Sequence, residues 1–248
     1  MELKVIAYAR NGHTDKFGIP RQSREESPIE TRIVFEPEYK VAEALRGIEG
    51  YSHLWLIWGF SEQPTPDNVL RTATGSPIEQ SSSPVKGGGL DWSPTVRPPR
   101  LGGNKRMGVF ATRSPFRPNP LGLTSVRLVR VEDGDLIVSG ADVLDGTPIY
   151  DIKPYLSFSD SHEDARNGFA EETKGYKLNV EMSATALLNG DASLNDEIRR
   201  DIEYILSQDP RPGYQDDPDR EYKLDYAGWN VAFGVEKGAV IIKKIKKM

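Results

Sequence analysis

Two arginines in the middle of the chain stand where they could bind an anion. Arg113 and Arg117 lie in the stretch Gly108–Asn119, with sequence GVFATRSPFRPN, and prolines stand between and after them. Proline fixes φ and has no amide donor, so this stretch cannot continue a helix or an interior strand. We expect a short strand over Gly108–Thr112 that ends in a stiff loop. Guanidiniums on such a loop suit bidentate contacts to carboxylate or phosphate, although two exposed arginines on a polar loop are the simpler alternative.

The same stretch is the centre of a basic block that runs from Arg97 to Arg130. The whole chain has a formal net charge of −5, yet this block contains no Asp or Glu. Local charge decides whether a surface attracts phosphates, so the sequence predicts an anionic ligand here. The cations of the block are Arg97, Arg100, Lys105, Arg106, Arg113, Arg117, Arg127 and Arg130.

A second group of ionisable residues follows in a turn-and-strand segment further along. Asp145, Asp151, Lys153 and Tyr155 fall within eleven consecutive positions. Carboxylates beside a lysine and a tyrosine could take part in proton transfer. A surface cluster of ion pairs explains the same pattern equally well, and the residues alone leave both interpretations open.

Several kinds of site are excluded or disfavoured. The chain has no Cys, which excludes disulfides, thiolate metal sites and cysteine nucleophiles. Its three histidines are widely spaced, so we predict no metal site. It has no P-loop, and Gly87–Gly89 lacks the strand-to-helix context of a Rossmann fingerprint. No apolar segment is long enough for a signal peptide or a membrane span, so we expect a cytoplasmic protein.

The elements that must position these residues are mostly strands. Composition divides the chain into a β-rich N-terminal domain, residues 1–158, and a small α+β C-terminal domain, residues 159–248. The apolar run His53–Phe60 predicts a strand buried on both faces. Asp133-Gly134 predicts a hairpin turn. The other predicted strands are Leu3–Tyr8, Thr31–Phe35, Gly122–Val131, Asp135–Val143, Tyr176–Met182, Tyr222–Tyr226, Trp229–Val235 and Ala239–Ile245.

The clearest helix lies in the C-terminal domain, over Asn195–Ser207. Its apolar residues recur on one face, Asn195 can cap its N-terminus, and Asp209-Pro210 stops it.

Three motifs in this order resemble the TsaA-like (TrmO) family of tRNA N6-adenosine methyltransferases. They are FGIPRQ at Phe17–Gln22, GVFATRSPFRPNPLGL from Gly108, and DGTPIYDIKPY from Asp145. Val96–Arg100 and Tyr51–Trp55 also match the family pattern. The resemblance covers most of residues 1–158 and extends to the longer bacterial members through Asp209–Tyr214.

The resemblance implies a β-barrel that binds S-adenosylmethionine without a Rossmann fold, in a homodimer. It implies methylation of N6-threonylcarbamoyladenosine beside the anticodon of threonine tRNA. Ser61 departs from the family, which often has His there. The cofactor-binding residues that it implies are Pro20, Arg21, Gln22, Ser61, Glu62, Arg113, Leu123, Val143, Leu144, Asp145 and Gly146.

The acceptor nitrogen of this substrate is a poor nucleophile, because its lone pair is delocalised into the purine and the carbamoyl group. We therefore expect a proton acceptor near it and assign Asp151, with Lys153 and Tyr155 as orienting partners. Arg117 and Asn119 are assigned to the threonyl carboxylate or to a phosphate. Two other classes remain open, a non-catalytic sensor of S-adenosylmethionine or a nucleotide, and a plain RNA-binding module.

Overall fold

The structure is a computed structural model that describes residues 2–19, 26–60, 92–98, 105–173, 176–184, 193–211, 217 and 220–248. Across these ranges, no helix is long and apolar enough to cross a membrane. Two sheets dominate, a closed barrel in the first part of the chain and a four-stranded sheet in the last part.

Six strands close into the barrel in the order β1-β2-β7-β6-β3-β8, and every neighbouring pair is antiparallel. This confirms the β-rich fold with an N-terminal barrel that the motifs imply. The strands are β1 (Ala7–Arg10), β2 (Glu30–Phe35), β3 (His53–Gly59), β6 (Leu121–Glu132), β7 (Asp135–Ser139) and β8 (Pro148–Pro154).

Strand β3 shows how the barrel separates its interior from its outer face. Leu54, Leu56 and Trp58 are buried in the core, whereas the alternating positions between them are only partly buried. Successive side chains on a strand point to opposite faces, so one face of β3 fills the barrel and the other faces outward. The prediction that this strand is buried on both faces was wrong. Its outward side chains, Trp55 and Ile57, are apolar like the inward ones, but they are only partly buried.

The hairpin between β6 and β7 turns at Asp133 and Gly134, as their sequence predicts. Both residues have positive φ, 52° and 75°, which is the conformation that a tight two-residue hairpin requires. Beside the turn, the buried carboxylate of Asp135 accepts hydrogen bonds from Arg32 Nε at 3.0 Å and from the Phe35 amide at 3.2 Å. Its other ion-pair partner is Lys40 Nζ at 2.9 Å.

A small ribbon precedes the barrel strand β6. It pairs β4 (Thr95–Val96) with β5 (Met107–Gly108), and a 3-10 turn follows at Val109–Ala111. The expected strand over Gly108–Thr112 is therefore wrong beyond Gly108. Hydrogen bonds from the Val109 amide to Pro94 O and from the Ser93 amide to Phe116 O hold this turn against the ribbon instead.

The second sheet has the order β10-β11-β12-β9, with β9 parallel to β12. The helix Asp196–Ser207 covers it, and Asn195 caps that helix by accepting a hydrogen bond from the Ile198 amide at 2.7 Å. A further short helix spans Ser157–Asp160. The strands are β9 (Asn179–Met182), β10 (Tyr222–Tyr226), β11 (Trp229–Glu236) and β12 (Ala239–Lys247).

Described residues of the connection between β1 and β2 pack on the second sheet. Phe17 lies against its core, stacked on Tyr222 with ring centroids 6.5 Å apart, and Ile29 belongs to that core. The Ala227 amide also donates a hydrogen bond to Gly12 O over 2.9 Å. The division of the chain at residue 158 remains a prediction.

Candidate functional site

One rim of the barrel carries the turn Val143–Gly146, which is among the segments predicted to bind the cofactor. Because neighbouring strands alternate in direction, this rim receives the ends of β1, β3 and β7 and the beginnings of β2, β6 and β8. The Phe60 amide donates to Pro120 O over 3.1 Å and so joins the exit of β3 to the entry of β6. Thr124 Oγ1 donates to Asp142 Oδ1 over 2.7 Å and joins β6 to the segment after β7.

The turn Val143–Gly146 is fastened to this rim by the residues that follow β1. Asn11 Nδ2 donates to Val143 O over 3.0 Å, and the Asn11 amide donates to Asp145 Oδ1 over 3.1 Å. The amide of Gly146, which has φ of 77°, donates to Ala9 O over 2.8 Å. The turn is therefore fixed at both ends, and its Asp145 carboxylate remains partly exposed beside Arg10 Nη1, 3.5 Å away.

His13 lies next to this turn and is almost completely buried. Its ring packs edge-on against Tyr226, with centroids 5.2 Å apart. Neither ring nitrogen has a hydrogen-bond partner among the described residues. Burial without a partner penalises the charged form, so the pKa of His13 is lowered to about 4. The neutral ring thus packs like an apolar side chain between the rim and the second sheet.

The two arginines of the proline loop have different surroundings. Arg117 is folded back into the loop, where Nε donates to Ser114 O over 2.9 Å and Nη2 donates to Val109 O over 3.2 Å. Nη2 also donates to Thr112 O. Arg113 is exposed and makes no hydrogen bond or ion pair with any residue that the structure describes. Within the described loop, Arg113 is thus the guanidinium available to a ligand.

The predicted base lies on the outer face of the barrel in register with a predicted cofactor residue. Ile57 of β3 pairs with Leu123 of β6 on one side and with Asp151 of β8 on the other. Neighbouring strands are about 4.8 Å apart, so Leu123 and Asp151 lie roughly 10 Å from each other. Leu123 is 55% exposed, and Lys153 Nζ forms an ion pair with Asp151 Oδ2 at 2.8 Å. The surface ion pair that the alternative interpretation of this cluster predicts is thus present, and the Asp151 carboxylate within it is accessible to solvent.

Tyr155 lies further along the same outer face. Its ring packs against Trp55, with centroids 5.4 Å apart, and edge-on against His53 at 6.1 Å. Trp55 Nε1 in turn donates to Asp160 Oδ2 over 2.7 Å. Tyr155 therefore belongs to a packed aromatic cluster two residues beyond Lys153.

Five predicted cofactor residues lie outside the described residues: Pro20, Arg21, Gln22, Ser61 and Glu62. Val143, Leu144, Asp145 and Gly146 form one turn, and Asn119 is exposed at the end of the proline loop. The sequence also missed a residue that shapes this site. Asn11 stands in an Arg-Asn-Gly-His stretch that predicts only a turn, and nothing local reveals that its amide reaches the backbone of Val143.

A closed antiparallel barrel, with an acidic turn bonded to one rim, defines a β-barrel protein outside the Rossmann class. The chain belongs to the tRNA-methyltransferase O family. The N-terminal domain of that family matches residues 8–161, and the TrmO C-terminal domain matches residues 175–248. The family expected from the three motifs is confirmed.

Individual relatives agree with this assignment. A tRNA (adenine(37)-N6)-methyltransferase of Escherichia coli (strain K12) is 36% identical over 241 residues, covering 94% of this chain and 91% of the relative. One of the same name from Eikenella corrodens is 51% identical over 160 residues, covering 63% of this chain and 89% of the relative. A crystal structure of TrmO from Pseudomonas aeruginosa has a TM-score of 0.73 at 29% identity and covers 99% of this chain and 98% of that chain.

Proposed function

We propose that this chain transfers a methyl group from S-adenosylmethionine to N6 of N6-threonylcarbamoyladenosine at position 37 of threonine tRNA. Methylation of adenine 37 of tRNA is the activity for which the curated relatives are named. Neither the sensor nor the plain RNA-binding module is favoured, because those relatives are named as enzymes. The observation that carries the proposal is the pairing of Leu123, Ile57 and Asp151 across three strands, which supports a cofactor contact and a base on one surface.

The residues of the rim fit the chemistry of this cofactor. S-adenosylmethionine carries a carboxylate, an ammonium group, ribose hydroxyls and an apolar adenine face. The exposed guanidinium of Arg113 suits the carboxylate, and the partly exposed carboxylate of Asp145 suits the ammonium or hydroxyl groups. The exposed side chain of Leu123 suits the apolar part. When bound, the cofactor supplies an electrophilic methyl carbon whose bond to sulfur breaks as the bond to N6 forms.

Asp151 accepts the proton that N6 must lose. Its carboxylate is accessible on the outer face, and the ion pair with Lys153 Nζ at 2.8 Å holds it in one orientation. Tyr155, packed on Trp55, limits the space beside this pair. Correct alignment of donor, acceptor and base is the main contribution that a protein makes to methyl transfer.

The proline loop provides the tRNA contact in this proposal. Asn119 stands exposed on it, and Arg117 fixes its shape through three backbone carbonyls. The anticodon loop brings phosphates and the threonyl carboxylate, and a loop free of acidic residues attracts both. Arg117 is also assigned to the substrate. Its bonds to the loop use Nε and Nη2, so the substrate contact is assigned to Nη1.

We also propose a cytoplasmic homodimer. Leu121 is exposed and Trp55 is half-buried on the outer face of the barrel, on either side of the Leu123–Ile57 pair that is assigned to the cofactor site. A second copy of the chain is the partner that we assign to these apolar side chains, with the cofactor site at the edge of the interface. Sedimentation velocity over a range of concentrations tests this assignment, and a monomer at every concentration would refute it.

The enzymatic proposal is tested on the purified protein. Incubation with threonylcarbamoylated threonine tRNA and methyl-labelled S-adenosylmethionine should place label on N6 of adenosine 37, as read by nucleoside mass spectrometry. The same tRNA lacking the threonylcarbamoyl group is the matched control and should remain unlabelled. Cofactor binding without incorporation would support a sensor, and RNA binding without cofactor affinity would support an RNA-binding module.

A further inference from the structure

Phe110 is the feature of the loop region that the proposed reaction leaves unexplained. Its side chain is 74% exposed, although Val109 directly before it is buried. Its ring lies against Trp92, with centroids 5.8 Å apart and planes inclined by 30°. One face of an aromatic pair is thus presented outward.

The turn that carries Phe110 is held rigidly. The Thr112 amide and hydroxyl both donate to Val109 O, over 3.1 Å and 2.8 Å. Arg117 Nη2 donates to the same carbonyl and to that of Thr112. The Val109 amide donates to Pro94 O. A phenylalanine displayed on a turn with this many bonds loses little further entropy when a ligand settles on it.

The described residues close in sequence to this aromatic pair carry only positive charge. The described residues 92–98 and 105–131 contain no Asp or Glu. Lys105 and Arg106 precede the turn, and Arg113 follows it, three residues after Phe110. Arg106 Nη1 donates to Thr95 Oγ1 over 2.8 Å, which ties its guanidinium to the ribbon.

We propose that Phe110, supported by Trp92, is a stacking platform for an unpaired base of the anticodon loop that accompanies the target adenosine. An exposed aromatic face on a segment rich in cations matches single-stranded nucleic acid, whose bases stack while its phosphates contact the cations. A protein partner or a lipid surface would need more apolar area than this ring offers. The inference rests on the proposed function, because it identifies a further contact for the same tRNA.

The test compares Phe110→Leu with Phe110→Trp, using full-length threonylcarbamoylated tRNA. Leucine keeps an apolar side chain but lacks a π-face, whereas tryptophan keeps the face. Phe110→Leu should raise the KM for tRNA roughly tenfold or more, since the loss of one stacked base has about that effect. Phe110→Trp should stay close to wild type, and the kcat of both variants should remain within about twofold of wild type.

Phe158→Leu is the matched control. Phe158 is 87% exposed on the short helix Ser157–Asp160, outside the basic block, so its loss should leave the KM unchanged. The slope of log affinity against log salt should be the same for Phe110→Leu and wild type, because stacking releases no counterion.

Three results would overturn the platform while leaving the proposed function intact. They are an unchanged KM in Phe110→Leu, a weakened affinity for S-adenosylmethionine alone, which would make Phe110 a cofactor contact, and an altered sedimentation coefficient, which would make it a contact between two copies. Failure of the wild-type protein to methylate this tRNA would instead refute the proposed function, and the platform that rests on it would fall as well.

Discussion

The amide of Asp145 donates a hydrogen bond to the backbone oxygen of His13 over 2.9 Å. This bond links a turn assigned to the cofactor with a segment that is packed on the C-terminal sheet, because the Ala227 amide holds Gly12 O and Tyr226 holds the His13 ring. The position of the turn thus depends on residues more than 80 positions later in the chain. The first two predictions concern this junction.

Asn11→Ala should weaken the affinity for S-adenosylmethionine and lower the free energy of unfolding by about 1–3 kcal/mol. The change removes the side-chain donor to Val143 O and Thr31 Oγ1 and the acceptor of the His13 amide. Calorimetry measures the first effect and urea unfolding the second. Asn230→Ala, which removes a hydrogen bond to Asp225 in the second sheet, should lower stability without changing cofactor affinity. Equal affinity in all three proteins would contradict the role given to Asn11.

Stability should fall as the pH is lowered from 6.5 to 4, in part because of His13. Its pKa is about 4 in the folded protein and near 6.5 when exposed, so the unfolded chain binds the extra proton over this window. The loss amounts to roughly 3 kcal/mol and is complete below pH 4. Urea unfolding at a series of pH values measures it. His13→Phe keeps the edge-on packing and should show a flatter dependence, and identical curves would refute the assignment.

Arg113→Ala and Arg117→Ala form a matched pair in one loop. Arg117→Ala should lower the free energy of unfolding by about 1–2 kcal/mol, because its guanidinium donates to three backbone carbonyls. Arg113→Ala should leave stability within about 0.5 kcal/mol of wild type and raise the KM for S-adenosylmethionine. Arg117→Lys should lose as much stability as Arg117→Ala, since an ammonium cannot reproduce the planar set of donors by which the guanidinium binds three carbonyls. A fully active Arg117→Lys enzyme would show that charge alone matters at this position.

Asp151→Asn should slow methyl transfer by roughly 10²- to 10⁴-fold in single-turnover experiments while tRNA and cofactor affinities change little. The amide keeps the size of the side chain but cannot accept the N6 proton. Lys153→Gln should have a smaller effect, because it removes only the partner that orients the carboxylate. Asp164→Asn, at an exposed position, serves as the control. A wild-type rate in Asp151→Asn would require another proton acceptor.

Asp135→Asn should destabilise the barrel by about 2 kcal/mol at pH 7. Burial raises the pKa of Asp135, but hydrogen bonds from Lys40, the Phe35 amide and Arg32 outweigh it, so that the pKa is lowered overall. The stabilisation is therefore present above the ordinary value of 3.8 and is lost as the pH falls through the lowered pKa. Wild type and variant should differ in urea unfolding at pH 7 and converge as the pH falls below 3.8 through the lowered pKa. A constant difference would argue against ionised Asp135.

Local patterns gave much of the fold. The helix Asp196–Ser207 follows from apolar spacing and from Asn195, and the β6–β7 hairpin follows from Asp133-Gly134. These features depend on residues close in sequence. The family motifs supplied the closed barrel, which strand patterns alone cannot distinguish from an open sheet.

The parts that sequence could not provide depend on contacts between distant residues. Arg117 looks like an exposed ligand contact in the sequence, yet the path of its own loop turns the guanidinium toward Val109 and Thr112. Likewise, Ile57 and Trp55 suggest a strand buried on both faces, but the outer face of this barrel accepts large apolar side chains.

The packing of Phe17 and Ile29 in the core of the second sheet has a consequence for biosynthesis. The N-terminal part of a chain leaves the ribosome first, yet these two side chains have no core to enter until strands β10–β12 have emerged. The β1–β2 connection therefore reaches its final environment late. Until then both apolar side chains of a nascent barrel remain exposed to solvent.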